Sequence, residues 1–414
     1  MRNRHRTLTA SAFTVAVGVL VLSGCAASSD RDGSEGGGQA VTFAQITTVS
    51  GGFPFGDTVK GTQSYINLLN DNGGLNGYRV EFVSGDDKGD AAEAAQLARK
   101  FIQQDGVVGM VGNTSIVDCQ ANRAIYEAND IAVMGGGAQT DCYQQPNWMP
   151  ITGGPFVGAW IMWTYAVEQL QAEAVCIIGQ NDPTSVPYFE QLREAFEAQY
   201  RMQFALATYT NDTTQDPTPA MTNAKSAGCD VIVTSTVAPN FAAMVASAES
   251  VGLDATFIDG GSAYDTTLPG TLGSTGEPGA LGPDSAGVFV GSQMTPLDDP
   301  SAEVREMVDQ LDKDGVDANF WSQIGWVSAK LYFDALARRP DADLTSPSEV
   351  LTALREMDPV ESDFTGVPIV FGDGDTHSPN LSYKLLTITD GQFVNAPGLD
   401  DGWIVIDPLP EPEG

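Results

Sequence analysis

Residues 41–83, VTFAQITTVSGGFPFGDTVKGTQSYINLLNDNGGLNGYRVEFV, predict a strand, a helix and a second strand in succession. Val41–Thr47 and Val80–Val83 are short runs with the composition of buried strands. Lys60–Asp71 lies between them and has the periodicity of a helix. The apolar side chains on one face of this helix are Tyr65, Leu68 and Leu69. Strand–helix–strand order of this kind favours a parallel sheet with crossover helices.

The same alternation continues along the chain and restarts after Pro150–Pro155, which predicts two α/β units in tandem, each with its own sheet. In the first unit a further strand is expected at Val107–Val111. In the second unit, residues 262–285 are rich in Gly, Pro, Ser and Thr, and they predict an irregular loop. About 375 residues follow the N-terminal segment. A single hydrophobic core seldom accommodates so many residues, so the length also predicts two lobes.

The N-terminus has the three parts of a secretory signal. Arg2, Arg4 and Arg6 precede an uncharged, mostly apolar run from Leu8 to Leu22, which is too short to span a bilayer. Leu22-Ser-Gly-Cys25 follows and resembles the bacterial lipobox, whose cysteine receives a lipid; the alternative is an ordinary signal with an incidental cysteine. We therefore predict a lipoprotein signal at residues 1–24 and a flexible tether at 25–39. Lipidated Cys25 would anchor the protein to the outer face of the cell membrane.

The charge balance excludes some partners. The chain has 20 basic and 54 acidic residues, and without the three signal arginines 17 basic residues stand against 54 acidic ones, a balance of −37. Nucleic acid is a poor partner for such a surface, because phosphate contacts need clustered Lys and Arg. High net charge also favours a soluble monomer.

Signatures of catalysis are missing from the sequence. There is no Walker-type loop, no Gly-x-Ser-x-Gly at a strand–helix turn and no His-Glu-x-x-His. The two histidines are His5, in the signal, and His377, which is expected to be a solvent-facing loop residue. The stretch 372–375, Gly-Asp-Gly-Asp, lacks the ligand spacing of an EF-hand. We therefore predict no catalytic residues, no metal and no cofactor.

The four remaining cysteines are candidates for bridges, since an extracytoplasmic location permits disulfides. Cys119 and Cys142 both follow strands of the first unit, so one bridge is expected to join these loops; the alternative is two free buried thiols. Cys176 and Cys229 belong to strands that are neighbours in a sheet of order 2-1-3. They form either a second bridge or two small hydrophobic core residues.

Three loops after strands of the first unit have features of a binding site, because ligands of open α/β sheets bind outside the carboxyl ends of the strands. Thr48–Asp57 is glycine-rich and carries Phe53 and Phe55, two aromatic residues that are expected to be exposed. Gly112–Ser115 brings hydroxyls and backbone N–H groups to a helix start, which favours an anion such as a carboxylate. Gly135–Gln139 lets a ligand approach the bare backbone.

These stretches, read in order, resemble a known family. They are the lipobox, Ser-Gly-Gly-x-x-x-Gly at 50–56, Asn-Gly-Gly-Leu-Asn-Gly at 72–77, Asp-Asp at 86–87, and the Gly-Asn-Thr-Ser and Gly-Gly-Gly loops. The chain is similar over residues 41–406 to type I periplasmic-binding proteins of the leucine/isoleucine/valine-binding kind, the receptors of ABC importers.

The resemblance implies two doubly wound parallel-sheet lobes joined by a three-stranded hinge. The implied crossings lie near Thr152–Pro155, near Ser292 and near His377. The implied boundaries are 40–153 plus 292–376 for the N-terminal lobe, 154–291 plus 377–408 for the C-terminal lobe, and 409–414 for a tail.

The resemblance also implies ligand contacts. In the first lobe they are Phe55, Thr114, Ser115, Gly137, Ala138 and Gln139, and in the second lobe they are Thr184, Val237 and Gly261. Amino-acid binders of this family have an acid at about Gly261 and an aromatic residue near Val237, and this chain has neither. Asp259, Tyr264 and Asp182 are the neighbouring candidates to replace that acid. An amide, a carboxylate or another small polar solute therefore stays open beside an α-amino acid.

Together these features predict an extracytoplasmic, lipid-anchored solute-binding protein that captures a small polar ligand between its lobes and delivers it to an ABC permease. One alternative is a ligand-sensing regulatory module with the same fold. A surface hydrolase with an unrecognised carboxylate pair is the other.

Overall fold

The computed structural model describes residues 39–50, 54–137, 139–180, 185–210, 216–260, 263–283, 285–372, 374, 377, 380–399 and 401–409. In the first part of the chain the elements are β1 (Ala40–Thr47), α1 (Gly56–Asp71), β2 (Arg79–Asp86), α2 (Ala91–Gln103), β3 (Met110–Asn113), α3 (Asp118–Ala128), β4 (Val133–Gly135) and β5 (Trp148–Pro150). The middle part contains α4 (Gly154–Thr164), β6 (Val175–Gln180), α5 (Val186–Tyr200), β7 (Leu206–Thr210), α6 (Thr218–Ala227), β8 (Val231–Thr234), α7 (Ala238–Val251), β9 (Thr256–Asp259), α8 (Leu268–Leu272) and β10 (Val288–Ser292). The last part contains α9 (Ala302–Lys313), α10 (Phe320–Ala337), α11 (Pro347–Arg355), β11 (Ser382–Thr389), β12 (Gln392–Asn395) and β13 (Trp403–Val405).

The strands form two sheets with the same order. The first sheet is β2-β1-β3-β4-β5, and all of its pairs are parallel. The second sheet repeats this order as β7-β6-β8-β9-β10 and then adds the antiparallel strands β11, β12 and β13. Two doubly wound α/β lobes were predicted, and the structure confirms them.

The chain passes between the two sheets at three places. It leaves the first sheet after β5 and reaches the second sheet through α4 and β6. It returns after β10, since α9 packs against α1. It crosses for the third time between α11, which packs against α10, and β11 of the second sheet.

Helices α1 and α10 pack unusually closely against each other. A Cβ atom at Gly61 would lie 1.9 Å from the carbonyl oxygen of Ser322, and one at Gly325 would lie 2.0 Å from that of Thr58. Only glycine permits this approach. Asn319 caps α10 by accepting from the backbone N–H groups of Trp321 and Ser322. Although α10 has 18 residues, no helix in the described part of the chain is long and apolar enough to cross a membrane.

The Asn-Gly-Gly-Leu-Asn-Gly turn connects α1 to β2 and requires its glycines. Gly73, Gly74 and Gly77 have φ angles of 103°, 78° and 88°, where residues with side chains are strained. Asn70 completes the turn, because its side chain both donates to and accepts from the backbone of Val80, at 2.8 and 2.9 Å. The same sequence therefore fixes the start of β2.

Several elements differ from the prediction, and α1 begins at Gly56, four residues before the predicted Lys60. β3 begins at Met110, not at Val107. Val107 and Val108 are buried, as residues of a strand would be, but they precede the strand. The three-residue β5 was not predicted, since it ends in a proline. The expected irregular loop at 262–285 contains the short helix α8, whose Leu268 and Leu272 are buried.

Candidate ligand-binding site

The first crossing runs from the carboxyl end of the first sheet to the carboxyl end of the second. β5 ends at Pro150, and α4 begins four residues later. On α4, a Cβ atom at Gly158 would lie 2.4 Å from the carbonyl oxygen of Gly260, which directly follows β9. Because ligands of open α/β sheets bind outside the carboxyl ends of the strands, the candidate site is formed by the loops after β1, β3 and β4 and after β6, β8 and β9.

The predicted contacts lie at these edges where the structure describes them. Thr114 and Ser115 follow β3, and Gly137 and Gln139 follow β4. Val237 follows β8 and precedes α7, where its carbonyl oxygen accepts from Asn240 N and Phe241 N at 3.0 Å. Four predicted site residues and one candidate acid lie outside the described residues: Cys25, Ala138, Thr184, Gly261 and Asp182.

The Ser115 hydroxyl is fully used by the protein itself. It donates to the Asp87 carboxylate and accepts from the backbone N–H groups of Val117 and Asp118 at 3.0 Å. Asp87 is completely buried and also accepts from Thr48 Oγ1 at 2.8 Å and Gly89 N at 2.9 Å. Asp87 therefore ties the loop after β1 to the loop after β3.

A second buried carboxylate lies at the same helix start. Asp118 accepts from Asn113 Nδ2 at 2.7 Å, Asn122 Nδ2 at 2.5 Å and Tyr126 Oη at 2.7 Å. Burial, together with the smaller effect of the Asp87 charge, raises its pKa to about 6 against these three hydrogen bonds. The N-terminus of α3, where a ligand anion was expected, thus already has two carboxylates of the protein beside it.

Thr114 also has internal partners. Its hydroxyl donates to Gly112 O at 3.2 Å, and its carbonyl oxygen accepts from Thr48 N at 3.1 Å. The side chain is 2 % exposed. Thr114 consequently helps to hold the loops after β1 and β3 in place.

Phe55 was expected to be exposed, and this is wrong. Its side chain is 9 % exposed, and its ring lies 4.7 Å from that of Trp321, centre to centre. The close packing of α1 on α10 brings the two rings together. Trp321, half-buried at the start of α10, was not predicted, because no local pattern links residue 321 to the loop after β1.

The loop after β4 combines a satisfied carbonyl with an unsatisfied one. Gly137 O accepts from the Tyr143 hydroxyl at 2.9 Å. Gln139 Oε1 is buried and has no hydrogen-bond partner among the described residues. A buried acceptor without a partner costs about 1–3 kcal/mol, so Gln139 is suited to accept a hydrogen bond from a ligand.

In the second lobe, buried Asp259 holds two loops together. Its Oδ2 accepts from Thr234 Oγ1 at 2.7 Å and from Thr236 N at 2.9 Å, and its Oδ1 accepts from Ala263 N at 2.9 Å. These donors are neutral groups of the protein. Tyr264 is likewise buried, and its hydroxyl accepts from Leu297 N at 3.3 Å; burial raises its pKa to about 12.

The predicted Cys119–Cys142 disulfide is present, and of the two alternatives for Cys176 and Cys229 the structure has the bridge. Cys119–Cys142 joins the first turn of α3 to the 3-10 helix Thr140–Gln144, with a Cα–Cα distance of 5.1 Å. Cys176–Cys229 joins β6 to the residues before β8, with a Cα–Cα distance of 5.8 Å. The first bridge lies at the cleft edge of its sheet and the second at the opposite edge.

His377 is buried, so its expected exposure is wrong. It is 2 % exposed. Its backbone N–H donates to Tyr143 O at 2.9 Å, and its ring Nδ1 lies 3.2 Å from Phe371 O. The third crossing packs it against the first lobe, which its glycine-rich neighbours did not indicate. Within the described ranges, no group of three or more His, Cys, Asp or Glu residues has the arrangement of a metal site.

A surface depression of about 470 Å³ lies elsewhere, on α1 and α9. It is lined by Leu68, Ala302, Arg305, Glu306, Asp309, Gln310 and Lys313. None of these residues follows a strand at a carboxyl edge, so the depression is not part of the candidate site.

The sequence matches the family described as periplasmic binding protein over residues 40–392. The chain belongs to the periplasmic binding protein family. Its fold is the type I fold that the resemblance predicted. As a member of this family it is a solute-binding protein, and the family is one of binding proteins, not of enzymes. Periplasmic binding proteins of ABC transporters are extracytoplasmic.

Individual relatives are distant but similar over nearly their whole length. The Leu/Ile/Val-binding protein homolog 1 of Brucella abortus (strain 2308) is 22% identical over 347 residues, 81% of this chain and 86% of that protein. The branched-chain amino acid transporter substrate binding protein LivJ of Streptococcus pneumoniae, solved with isoleucine, has a TM-score of 0.69 at 18% identity and covers 89% of this chain and 100% of its own. An R. palustris ABC-transporter solute binding protein, solved with 4-hydroxybenzoate, has a TM-score of 0.69 at 17% identity, covering 86% of this chain and 96% of its own.

Proposed function

We propose that this binding protein captures a small polar ligand between its two lobes and delivers it to an ABC importer. The observation that carries the proposal is the pair of sheets with the same order of five parallel strands, joined by three chain crossings that follow β5, follow β10 and lead into β11 beside the end of β10. The lobes close on the ligand as a population shift between open and closed forms. No bond is made or broken.

The contacts of the first lobe favour a ligand that donates hydrogen bonds. Gln139 Oε1 is a buried acceptor without a partner among the described residues. Asp87 and Asp118 place two buried carboxylates beneath the loop after β3, and a ligand anion at that position would be repelled. We therefore rank amides and amino acids above simple carboxylates.

A thermal-shift screen with matched pairs tests both the capture and the ranking. The pairs are leucine with leucinamide and benzoate with benzamide, and isoleucine, valine and 4-hydroxybenzoate are added because relatives bind such compounds. A ligand at 100 times its Kd stabilises the folded state by about 2.7 kcal/mol, which raises the Tm of a chain this long by roughly 3 °C. We expect at least one class to give such a shift, with the amide of a pair exceeding its acid. If no class shifts the Tm, solute capture of this kind is refuted.

We further propose that Cys25 is lipidated and that residues 25–39 form a tether after cleavage of residues 1–24. The support is the sequence alone: the cationic and apolar segments that precede Leu-Ser-Gly-Cys. A Cys25→Ala variant should move from the membrane fraction to the soluble fraction and lose incorporation of a labelled fatty acid. Equal labelling of wild type and variant would contradict the anchor.

The lobe boundaries are also proposals: 40–153 plus 292–376 and 154–291 plus 377–408. They are consistent with the three crossings and with the placement of α9, α10 and α11 on the first lobe. The protein is proposed to act as a monomer, because its net charge of −34 disfavours self-association. Light scattering of the purified chain checks this directly.

A further inference from the structure

Tyr143 occupies a position that neither its sequence context nor the predicted ligand contacts single out. It lies in the 3-10 helix Thr140–Gln144, between the loop after β4 and the first crossing, and its ring is buried. Its contacts reach three separate segments of the chain. They are the loop after β4, the first crossing and the third crossing.

The Tyr143 hydroxyl connects the first two segments. It donates to Gly137 O at 2.9 Å, and it lies 3.1 Å from Thr152 Oγ1. Since the tyrosine proton is directed to Gly137, the Thr152 hydroxyl is the donor of the second bond. Burial raises the pKa of Tyr143, so the hydroxyl stays neutral and keeps its proton.

The Tyr143 side chain packs tightly against Gly137 and Gly154, with no space for a side chain at either position. A Cβ atom at Gly137 would lie 2.8 Å from the ring, and one at Gly154 would lie 2.3 Å from the hydroxyl oxygen. Gly154 has a φ of 68°. Its carbonyl oxygen accepts from the Tyr383 hydroxyl of β11 at 2.5 Å. Gly154 is thus held between a tyrosine of the first lobe and a tyrosine of the second-lobe sheet.

The backbone of Tyr143 reaches the third crossing, because its carbonyl oxygen accepts from His377 N at 2.9 Å. The position of Tyr143 itself is fixed by the adjacent disulfide. Cys142 is bonded to Cys119 in the first turn of α3, and Gln145 Nε2 donates to Cys119 O at 2.7 Å. The bridge therefore connects α3, whose first turn Ser115 caps, to the crossings.

We propose that Tyr143 is a positioning residue that couples the loop after β4 to the first and third interlobe crossings, with the Cys119–Cys142 disulfide holding it in place. A ligand that moves Gly137 or Gln139 displaces the partner of the Tyr143 hydroxyl. The same hydroxyl is bonded to Thr152 in the first crossing. Occupancy of the site and the geometry of the crossings are therefore linked through one side chain.

This inference rests on the proposed function, in which the two lobes close on a ligand. The coupling itself can be measured without ligand. Hydrogen–deuterium exchange of the full-length protein in mild detergent reports the local opening of each segment. The test variant is Tyr143→Phe, which removes the hydroxyl and keeps the ring. The matched control is Tyr332→Phe in the same lobe, because the Tyr332 hydroxyl is equally buried and has no hydrogen-bond partner among the described residues.

In Tyr143→Phe we expect the peptides that contain Gly137, Ile151–Gly154 and His377 to exchange about tenfold faster, since two buried hydrogen bonds are lost. Peptides from β8 and β9 should keep their wild-type rates. Tyr332→Phe should leave all of these peptides unchanged. Thr152→Val and the Cys119→Ser/Cys142→Ser pair should accelerate the same peptides, and they serve if Tyr143→Phe does not fold.

The proposal is overturned if Tyr143→Phe leaves the crossing peptides at the wild-type rate. It is also overturned if exchange rises equally in both sheets, because that pattern indicates general destabilisation. Failure of the ligand screen would not alter either outcome, so the two proposals can be separated.

Discussion

The two lobes have the same order of five parallel strands, yet they fix their cleft loops by different means. In the first lobe, Asp87 binds two hydroxyls, of Thr48 and Ser115, and one backbone amide, of Gly89. In the second lobe, Asp259 binds the backbone amides of Thr236 and Ala263 and the hydroxyl of Thr234. A hydroxyl can rotate and reverse its role, whereas a backbone N–H can only donate. The first lobe is therefore the more adjustable side of the cleft.

The disulfides follow the same division. The bridge of the first lobe, Cys119–Cys142, lies at the cleft edge, and the bridge of the second lobe, Cys176–Cys229, lies at the opposite edge. The two bridges close loops of 23 and 53 residues in sequence separation. Similar cross-links thus lie beside the candidate site in one lobe and away from it in the other.

Removing each disulfide in turn shows whether it contributes to stability alone or also to ligand binding. Loop closure predicts a loss of about 3 kcal/mol for Cys119→Ala/Cys142→Ala and about 4 kcal/mol for Cys176→Ala/Cys229→Ala, measured by urea unfolding. Only the first pair should also weaken the binding of a compound found in the thermal-shift screen. Equal losses of affinity in both variants would remove the distinction between the two edges.

Asp118 should give the first lobe a pH-dependent stability. Its pKa is about 6 in the folded protein, against about 3.9 in an unfolded chain. The folded state binds this proton more tightly, so the contribution is full below about pH 4 and is lost as the pH rises through 6. It amounts to about 3 kcal/mol. The groups around it are Asn113, Asn122, Tyr126 and Asp87.

Urea unfolding at pH 4 and pH 7 checks this sign. From pH 4 to pH 7, the free energy of unfolding of Asp118→Asn should fall by less than that of the wild type. The control Asp312→Asn, at an exposed position on α9, should show the same fall as the wild type. An unchanged difference in Asp118→Asn would show that this carboxylate titrates normally.

The aspartates that hold the loops should respond differently to the same substitution. In Asp259→Asn the new amide group faces the N–H of Ala263 or Thr236, and a buried donor is left unpaired at a cost of about 2 kcal/mol. In Asp87→Asn the new amide can face the Ser115 hydroxyl, whose proton can rotate away and whose oxygen is then shared between this amide and the N–H groups of Val117 and Asp118, so we expect about 1 kcal/mol. Thermal unfolding of both variants tests the order, and a larger loss in Asp87→Asn would reverse it.

Gln139→Ala should have the smallest effect on stability, within about 0.5 kcal/mol, because the packing lost with the side chain offsets the removal of a buried acceptor that bonds no described group. Its effect should appear in the ligand-induced thermal shift, which we expect to shrink. An undiminished shift would remove Gln139 from the site.

Much of the fold follows from local sequence. The alternation of strands and helices predicts both sheets, and the glycines of 72–77 have the φ angles that their turn requires. Positions relative to strands predicted the Cys119–Cys142 bridge and allowed the Cys176–Cys229 bridge as one of two alternatives, and the structure contains both.

The side-chain contacts of the site could not be predicted in the same way. Ser115 has the hydroxyl expected of a ligand contact, but its partner Asp87 lies 28 residues earlier, and nothing local connects them. His377 and Tyr143 meet only because the chain returns to the first lobe after β10 and crosses to the second lobe again at His377. Contacts of this kind depend on how crossings and loops pack, which periodicity does not specify.

A crystal structure with the most stabilising compound of the screen tests solute capture most directly. We predict ligand density between the loops after β3 and β4 and those after β8 and β9, within hydrogen-bonding distance of Gln139 Oε1. Density confined to the depression on α1 and α9, with an empty cleft, would contradict capture between the lobes.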